Sequence, residues 1–375
     1  MSRSGVDPGR EVRFALVGPG KVAALHAAAL GRIPGAHLVA VAGRDHGRTA
    51  AFAERFGARA DAGLTETIGR GGVDAVVLCT PHPRHAEQAI EAAEAGLAVV
   101  VEKPLAVDPA DADRVIGTCR DNGVLLSVIS QRRWYPAVRR VKAAIEEGRI
   151  GTPALATLEV LGWRGREYYA MDAWRGTQAG EGGGVLVNQA VHQLDLLCWF
   201  MGEPLEVDGF TANVNHPEIE VEDTAVAIVR FASGALATLT ASNAQYPGLW
   251  GRVHVHGRNG ASVGVETDRG SSFVAGMSAP SVARNDLWTI PGEVRLIESW
   301  PAEDAAAMAA ADPETYFHEL QLRDIVEAMR ESRAPAVTGE DGRRAVALFG
   351  AVYEAQRTSA RVDLRPPGGS AVSRV

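Results

Sequence analysis

Three short runs in this chain carry residue types that could hold a charged cofactor or move a proton. The first is Gly18-Pro19-Gly20-Lys21-Val22-Ala23, directly behind the apolar run 12–17. A buried strand that breaks into a glycine turn and opens a helix presents unpaired N–H groups and a helix N-terminus, an arrangement that receives a pyrophosphate. Gly18 permits the tight turn, Gly20 lets the backbone approach the phosphates, and small Ala23 completes the G-x-G-x-x-A form. The second run is Glu102-Lys103-Pro104, at the carboxyl end of the apolar run 98–101, where open α/β sheets bind ligands. Taken alone, the charged pair also fits a solvated strand end. Pro104 fixes the turn, and the bond before it can be cis.

The third run is Glu181-Gly182-Gly183-Gly184, leading into a helix predicted over 184–201. At about 100° per residue, Asn188, His192 and Asp195 share one narrow stripe of that helix. Leu186, Val187, Val191, Leu194, Leu197 and Cys198 fill much of the rest. A largely apolar helix is buried, so its polar stripe must face partners or a cavity. Beside a glycine-opened entrance, that stripe marks an active site.

The phosphate turn implies a dinucleotide, and its identity is read at the end of the second strand, Val41-Ala42-Gly43-Arg44-Asp45. An acidic residue there accepts hydrogen bonds from the NAD ribose, whereas arginine accommodates the 2′-phosphate of NADP. Gly43 occupies the acidic position and Arg44 follows it, which favours NADP over NAD; Asp45 serves NAD if the turn is shifted. No metal site is expected. His254 and His256 share a strand face and His82 and His85 flank a turn, but neither pair has a matching ligand set.

These runs need a scaffold. Strand-like segments at 12–17, 37–42, 73–79, 98–101 and 124–129 alternate with helical patterns at 21–30, 48–56, 86–95 and 110–121. That spacing predicts a parallel sheet covered on both faces. After a helix at 137–147 the pattern changes to closely spaced strands at 154–160, 207–214, 225–231, 234–241 and 252–256, with a hairpin turn at Ser233-Gly234. The second half is therefore α+β with an antiparallel sheet. Helices at 316–330 and 340–357 close it. Residues 270–285 are expected to be a loop and 366–375 a disordered tail. The division is 1–130 and 131–365, with the last helix able to pack back towards the first domain.

Composition narrows the function. A chain of 375 residues with 46% hydrophobic and 22% charged residues can bury a sizeable core. A net charge of −8 argues against nucleic-acid or anionic-membrane surfaces, and no run is long enough to span a bilayer. Three isolated cysteines, Cys79, Cys119 and Cys198, and a polar N-terminus without an apolar stretch fit a cytoplasmic protein.

Taken in order, the Gly18-Pro19-Gly20 turn, Cys79-Thr80-Pro81 with His85, Glu102-Lys103-Pro104, and Gly182-Gly183-Gly184 with Asn188, His192 and Asp195 resemble the Gfo/Idh/MocA family of nicotinamide-dependent sugar and cyclitol oxidoreductases. Gly339-Glu340-Asp341-Gly342-Arg343-Arg344 before the last helix also fits. The resemblance implies an α/β Rossmann domain followed by an α+β domain with a large, mostly antiparallel open sheet. The active site lies between them, and the chains form homodimers or homotetramers through that sheet. It also implies reversible hydride transfer at a secondary hydroxyl, with C3 of a pyranose one possible position. His192 is then the general acid/base, and the Lys103 ammonium stabilises the developing alkoxide, the two groups meeting over the nicotinamide from separate domains.

The family pattern has Asp where Asn188 stands, so Asn188 is expected to orient the substrate hydroxyl or the lysine. By the same resemblance the coenzyme meets Gly18, Gly20, Lys21, Val22, Gly43, Arg44, Asp45, Thr80, Pro81, His85, Glu102 and Lys103. The stretch 166–176 resembles the family's substrate loop. Tyr169, Trp174 and Arg175, with Asn188, Gln189, His192 and Arg132, would then border a sugar ring, although the aromatic residues could equally cap the domain interface. Two rival functions remain open from the sequence: a trans-dihydrodiol dehydrogenase or ketone/imine reductase on the same scaffold, and a dinucleotide-sensing regulatory protein.

Overall fold

The computed structural model describes residues 11–267 and 283–365. Six parallel strands, β1 (Val12–Val17), β2 (Ala36–Ala42), β3 (Arg59–Asp61), β4 (Ala75–Leu78), β5 (Ala98–Val101) and β6 (Leu126–Val128), lie in the order β3-β2-β1-β4-β5-β6. The order reverses between β1 and β4, which opens a crevice at their carboxyl ends. β4 and β5 are buried along their whole length, hence their unbroken apolar runs. β3 and the helix Leu64–Arg70 behind it are additions to the expected elements: three residues, Arg-Ala-Asp, carry no periodicity to read.

The second sheet has eight strands: β7 (Pro153–Leu161), β8 (Pro204–Ala212), β9 (Thr224–Phe231), β10 (Leu236–Ser242), β11 (Trp250–Gly257), β12 (Ser262–Glu266), β13 (Arg284–Trp288) and β14 (Val362–Asp363). Their order is β13-β12-β11-β7-β10-β9-β8-β14, and every pairing except β7 with β10 is antiparallel. One face packs on the helices Val191–Met201 and Gly339–Thr358. The other is bare and partly apolar. Phe210 stands opposite Val226, Ile228 lies two residues further along β9, and Leu236 opposite Arg230 pairs in turn with Leu155. All five apolar side chains are exposed, Phe210 by 67% and Ile228 by 61%.

Several expectations are corrected. The single helix over 184–201 is two, Val185–Asn188 and Val191–Met201, broken at Gln189 and Ala190. Its entrance is pinned: Glu222 accepts from the Gly184 and Leu186 N–H groups at 2.8 and 3.0 Å, and its carbonyl accepts from Val185. Most of the expected loop 270–285 lies outside the described residues, as does the tail, but Arg284 and Asn285 open β13. Helix Tyr316–Glu331 sends Leu322, Ile325, Val326 and Met329 into the core beneath β1, with Phe14, Leu16 and Leu30. A parallel sheet must be covered on both faces, and here a C-terminal helix covers part of one. The last helix packs on helix Pro109–Asp121 as well as on β8. No helix among the described residues is long and apolar enough to cross a membrane.

Candidate active site

The glycine turn stands at the carboxyl end of β1. Gly18 has φ +94°, and a Cβ there would lie 2.9 Å from the Cys79 carbonyl oxygen, so only glycine fits without strain. Gly20 differs: a Cβ added to it meets nothing within 4 Å. It opens helix Lys21–Leu30 with no side-chain cap for the first-turn N–H groups. A bare backbone beside an uncapped helix N-terminus fits a pyrophosphate. The bound coenzyme would supply a hydride acceptor or donor at this edge.

At the end of β2, Gly43 is constrained by its neighbours. A Cβ there would lie 2.5 Å from Thr49 Oγ1 and 2.7 Å from Pro19 Cδ, which bars an acidic side chain. Arg44 is exposed. Asp45 caps helix His46–Phe56, its carboxylate accepting from Arg48 N–H at 3.0 Å. In the turn after β4, Thr80 donates to Gln88 at 2.6 Å. His85 is fully buried, its ring nitrogens 2.7 and 2.8 Å from the carbonyl oxygens of Pro104 and Thr80. It braces this turn to Lys103-Pro104, whose peptide is cis, and its ring is not offered to a ligand.

Glu102 is buried, not solvated. Its Oε1 is 2.7 Å from His26 Nε2, and its Oε2 accepts from the Lys103 N–H at 3.1 Å. Burial alone would raise the carboxyl; the His26 hydrogen bond, with nearby His318 and Lys103, outweighs it and holds Glu102 at about 2. His318 comes from helix Tyr316–Glu331, and the donor atoms of His26, Glu102 and His318 gather within 4.8 Å.

Lys103 Nζ donates to the Asn188 carbonyl oxygen at 3.0 Å. Burial lowers its ammonium to about 8, with Arg132 and Arg164 pushing the same way and Glu102 and Glu181 opposing. The Asn188 side-chain amide donates to Glu181 and, at 3.1 Å, to the Tyr168 hydroxyl. Burial raises Glu181 to about 7, although Gly176 N–H and Asn188 both donate to it.

His192 lines one small cavity with Lys103, Ser130 and Asp195. No hydrogen bond reaches its ring among the described residues. Burial, with the charges of Arg132 and Lys103, holds its imidazole well below the ordinary range, so the ring is neutral. Asp195 shares the cavity wall but is committed elsewhere: Arg133 grips it through Nη2–Oδ1 at 2.6 Å and Nε–Oδ2 at 2.9 Å, and Ser130 donates to it. It anchors the helix and leaves Asn188 and His192 as the exposed part of the expected stripe.

Around this centre, Gln189 bonds Asn243 at 2.9 Å, and Asn243 reaches the Tyr169 hydroxyl at 3.5 Å. Arg175 lies 4.3 Å over the Tyr168 ring and 4.6 Å over Trp174, paired with Asp172 at 3.1 Å. Arg132 is buried and donates to Thr267 at 3.1 Å. Arg164, Asn243, Glu181, His26 and His318 join the site without having been singled out from the sequence. Glu181 alone carried a signal, standing first in the glycine run. A larger cavity of about 290 Å³, lined by Cys119, Leu126, Arg333 and Glu340, lies at the amino ends of the strands and is remote from this chemistry.

A six-stranded sheet in this order, with a glycine turn at its switch point, is a dinucleotide-binding Rossmann fold, and its partner domain brings a histidine to the same cleft. Residues 12–130 match the model of the oxidoreductase family with an NAD-binding Rossmann fold, and residues 138–263 match the GFO/IDH/MocA C-terminal domain. The WlbA dehydrogenase from Bordetella pertussis, solved with NADH and UDP-GlcNAcA, is 31% identical with a TM-score of 0.82 over 96% of this chain and 99% of its own. A 1,5-anhydro-D-fructose reductase from Ensifer adhaerens is 28% identical over 94% of this chain and 98% of its own. A myo-inositol 2-dehydrogenase from Thermotoga maritima is 27% identical over 90% and 94%. The chain belongs to the Gfo/Idh/MocA family and is an NAD(P)-binding oxidoreductase of the kind that acts on CH–OH groups.

Proposed function

We propose that this protein catalyses reversible hydride transfer between a nicotinamide coenzyme and a secondary hydroxyl or ketone of a sugar, glycoside or cyclitol, with C3 of a pyranose the first position to test. The supporting observation is that Lys103, at the end of β5, and His192, on a helix of the second domain, line one small cavity. In the oxidation, neutral His192 takes the hydroxyl proton while the C–H electron pair leaves as hydride. The Lys103 ammonium donates a hydrogen bond to the same oxygen as negative charge grows there. In the reduction, His192 returns the proton. Asn188 holds the lysine through its main-chain carbonyl, and Tyr169, Trp174, Arg175, Gln189 and Arg132 border the substrate. The relatives that hold UDP-GlcNAcA, reduce 1,5-anhydro-D-fructose or oxidise myo-inositol support a polyol ring as substrate.

NADP is the coenzyme this turn favours, because Asp45 already caps a helix while Arg44 is exposed and Gly43 excludes an acid. The protein works in the cytoplasm, its three cysteines free, as a homodimer or homotetramer joined through the bare face of the second sheet. NAD and NADP, each assayed against monosaccharides, glycosides, sugar phosphates and inositols, test the function: reduced-nicotinamide absorbance should change with at least one ring polyol. Tight coenzyme binding with no turnover anywhere in that matrix would leave a regulatory protein instead.

A further inference from the structure

A buried guanidinium without a counter-charge is unfavourable enough that such arginines are normally paired. Arg133 obeys this, held between Asp195 and Asp341, and so does Arg140, against Asp304. Arg164 does not. It follows β7, is only 9% exposed, and no carboxylate among the described residues pairs with it. Its Nη1 donates to the neighbouring Trp163 carbonyl at 2.9 Å, and its Nε has no partner.

Three buried acids of the same domain are committed elsewhere. Glu181 accepts from Gly176 N–H and Asn188. Glu222 accepts from Gly184, Leu186 and Tyr353. Asp223 takes His216 and the N–H groups of Val214 and Asn215. Arg164 is also fixed in place: its N–H donates to the Asn243 carbonyl at 3.0 Å, and its own carbonyl lies 2.6 Å from His216 Nε2. The guanidinium lies 5.1 Å from the centre of the Tyr168 ring, whose hydroxyl accepts from Asn188 and Gln189. Arg164 thus belongs to the wall of the proposed substrate site, and it is close enough to Lys103 for its charge to disfavour the ammonium.

We propose that Arg164 receives an anionic oxygen group of the substrate, a carboxylate or a phosphate, so that the sugar or cyclitol turned over is an acid rather than a neutral polyol. The inference rests on the sugar-oxidoreductase reading of the same cleft. A guanidinium fork donates two parallel N–H bonds to either group, and the substrate would supply the counter-charge that the protein withholds.

The test measures binding to the coenzyme-loaded protein by calorimetry, with D-glucuronate, D-glucose 6-phosphate and D-glucose as matched probes. At least one acid should bind about tenfold or more tightly than glucose, and the tighter of the two identifies carboxylate or phosphate. Arg164→Gln should weaken that acid by about 10- to 100-fold, Arg164→Lys by less, with coenzyme affinity retained as the check on folding. Acid affinities no higher than that of glucose in the unaltered protein, including no binding by either acid, overturn the proposal. An equal loss for all three probes in Arg164→Gln also overturns it. The oxidoreductase reading fails separately, if no ring polyol, neutral or acidic, is turned over with either coenzyme.

Discussion

The Lys103 ammonium donates to the main-chain carbonyl oxygen of Asn188 at 3.0 Å, a bond that ties the end of β5 to the glycine-opened helix of the second domain. Residue 188 therefore orients the lysine through its backbone, and its side chain is free to bond Glu181 and Tyr168. The asparagine at this position does not empty the site of carboxyl groups. Glu181, titrating at about 7, stands against its amide.

In the proposed mechanism the limbs of the pH profile follow from the two groups that handle the substrate oxygen, His192 and Lys103. In that mechanism oxidation needs neutral His192 and charged Lys103. His192 sits well below 6.5, so the acid limb lies below the ordinary histidine range. Lys103 sits at about 8, so kcat/KM should fall as pH rises through that value and the ammonium is lost. Lys103→Arg keeps its charge at high pH and should abolish the alkaline fall, at a lower plateau. An alkaline limb unmoved in that variant would assign it to another group.

The two glycines of the phosphate turn should respond differently. Gly18→Ala forces a side chain into φ +94° and against the Cys79 carbonyl, and should cost about 1–3 kcal/mol of stability, measured by denaturant unfolding. A Cβ at Gly20 meets no protein atom within 4 Å, so Gly20→Asp should unfold like the parent, yet weaken coenzyme binding at least about tenfold by placing an anion beside the pyrophosphate. Equal affinity in Gly20→Asp would move the phosphates elsewhere.

Coenzyme choice should shift with one side chain. Arg44→Asp is expected to lower the NADP-to-NAD ratio of kcat/KM by about tenfold or more. An acid grafted one residue earlier should fail differently: Gly43→Asp runs into Thr49 and Pro19 and should lower the thermal midpoint. A ratio unchanged in Arg44→Asp would show that this turn does not read the 2′ position.

The proposed assembly uses the bare sheet face. Phe210 and Ile228 stand out from β8 and β9 with three further exposed apolar neighbours. The double substitution Phe210→Asp, Ile228→Asp should convert the oligomer to monomers in sedimentation velocity, with the fold kept, because neither side chain enters the core. A monomeric parent protein would refute this interface.

Much of the fold was legible because buried parallel strands write themselves as unbroken apolar runs: β4 and β5 lie within the expected segments. β3 and β14 escaped because two or three residues hold no period. The break between Asn188 and Val191 was hidden because neither glycine nor proline marks it, and Glu222, which pins the helix entrance, lies far along the chain. Candidate site residues within motifs, such as Gly18, Lys103 and His192, were visible because the neighbours that give them meaning are adjacent in sequence. Arg164 and Asn243 were not. Their meaning comes from partners that tertiary structure either supplies or withholds, and His26 and His318 become neighbours only once a C-terminal helix covers the first sheet.

The claim on which the account turns is that Lys103 and His192 act together on one substrate oxygen. Its most direct test is steady-state turnover of Lys103→Ala, His192→Ala and the double variant on the best substrate, alongside coenzyme affinity. Each single change should lower kcat/KM by about 10²–10⁴-fold with coenzyme binding unaltered. The double variant should lose little more than the worse single one, because the groups serve one step. Undiminished turnover in either single variant, or losses that multiply in the double, would contradict it.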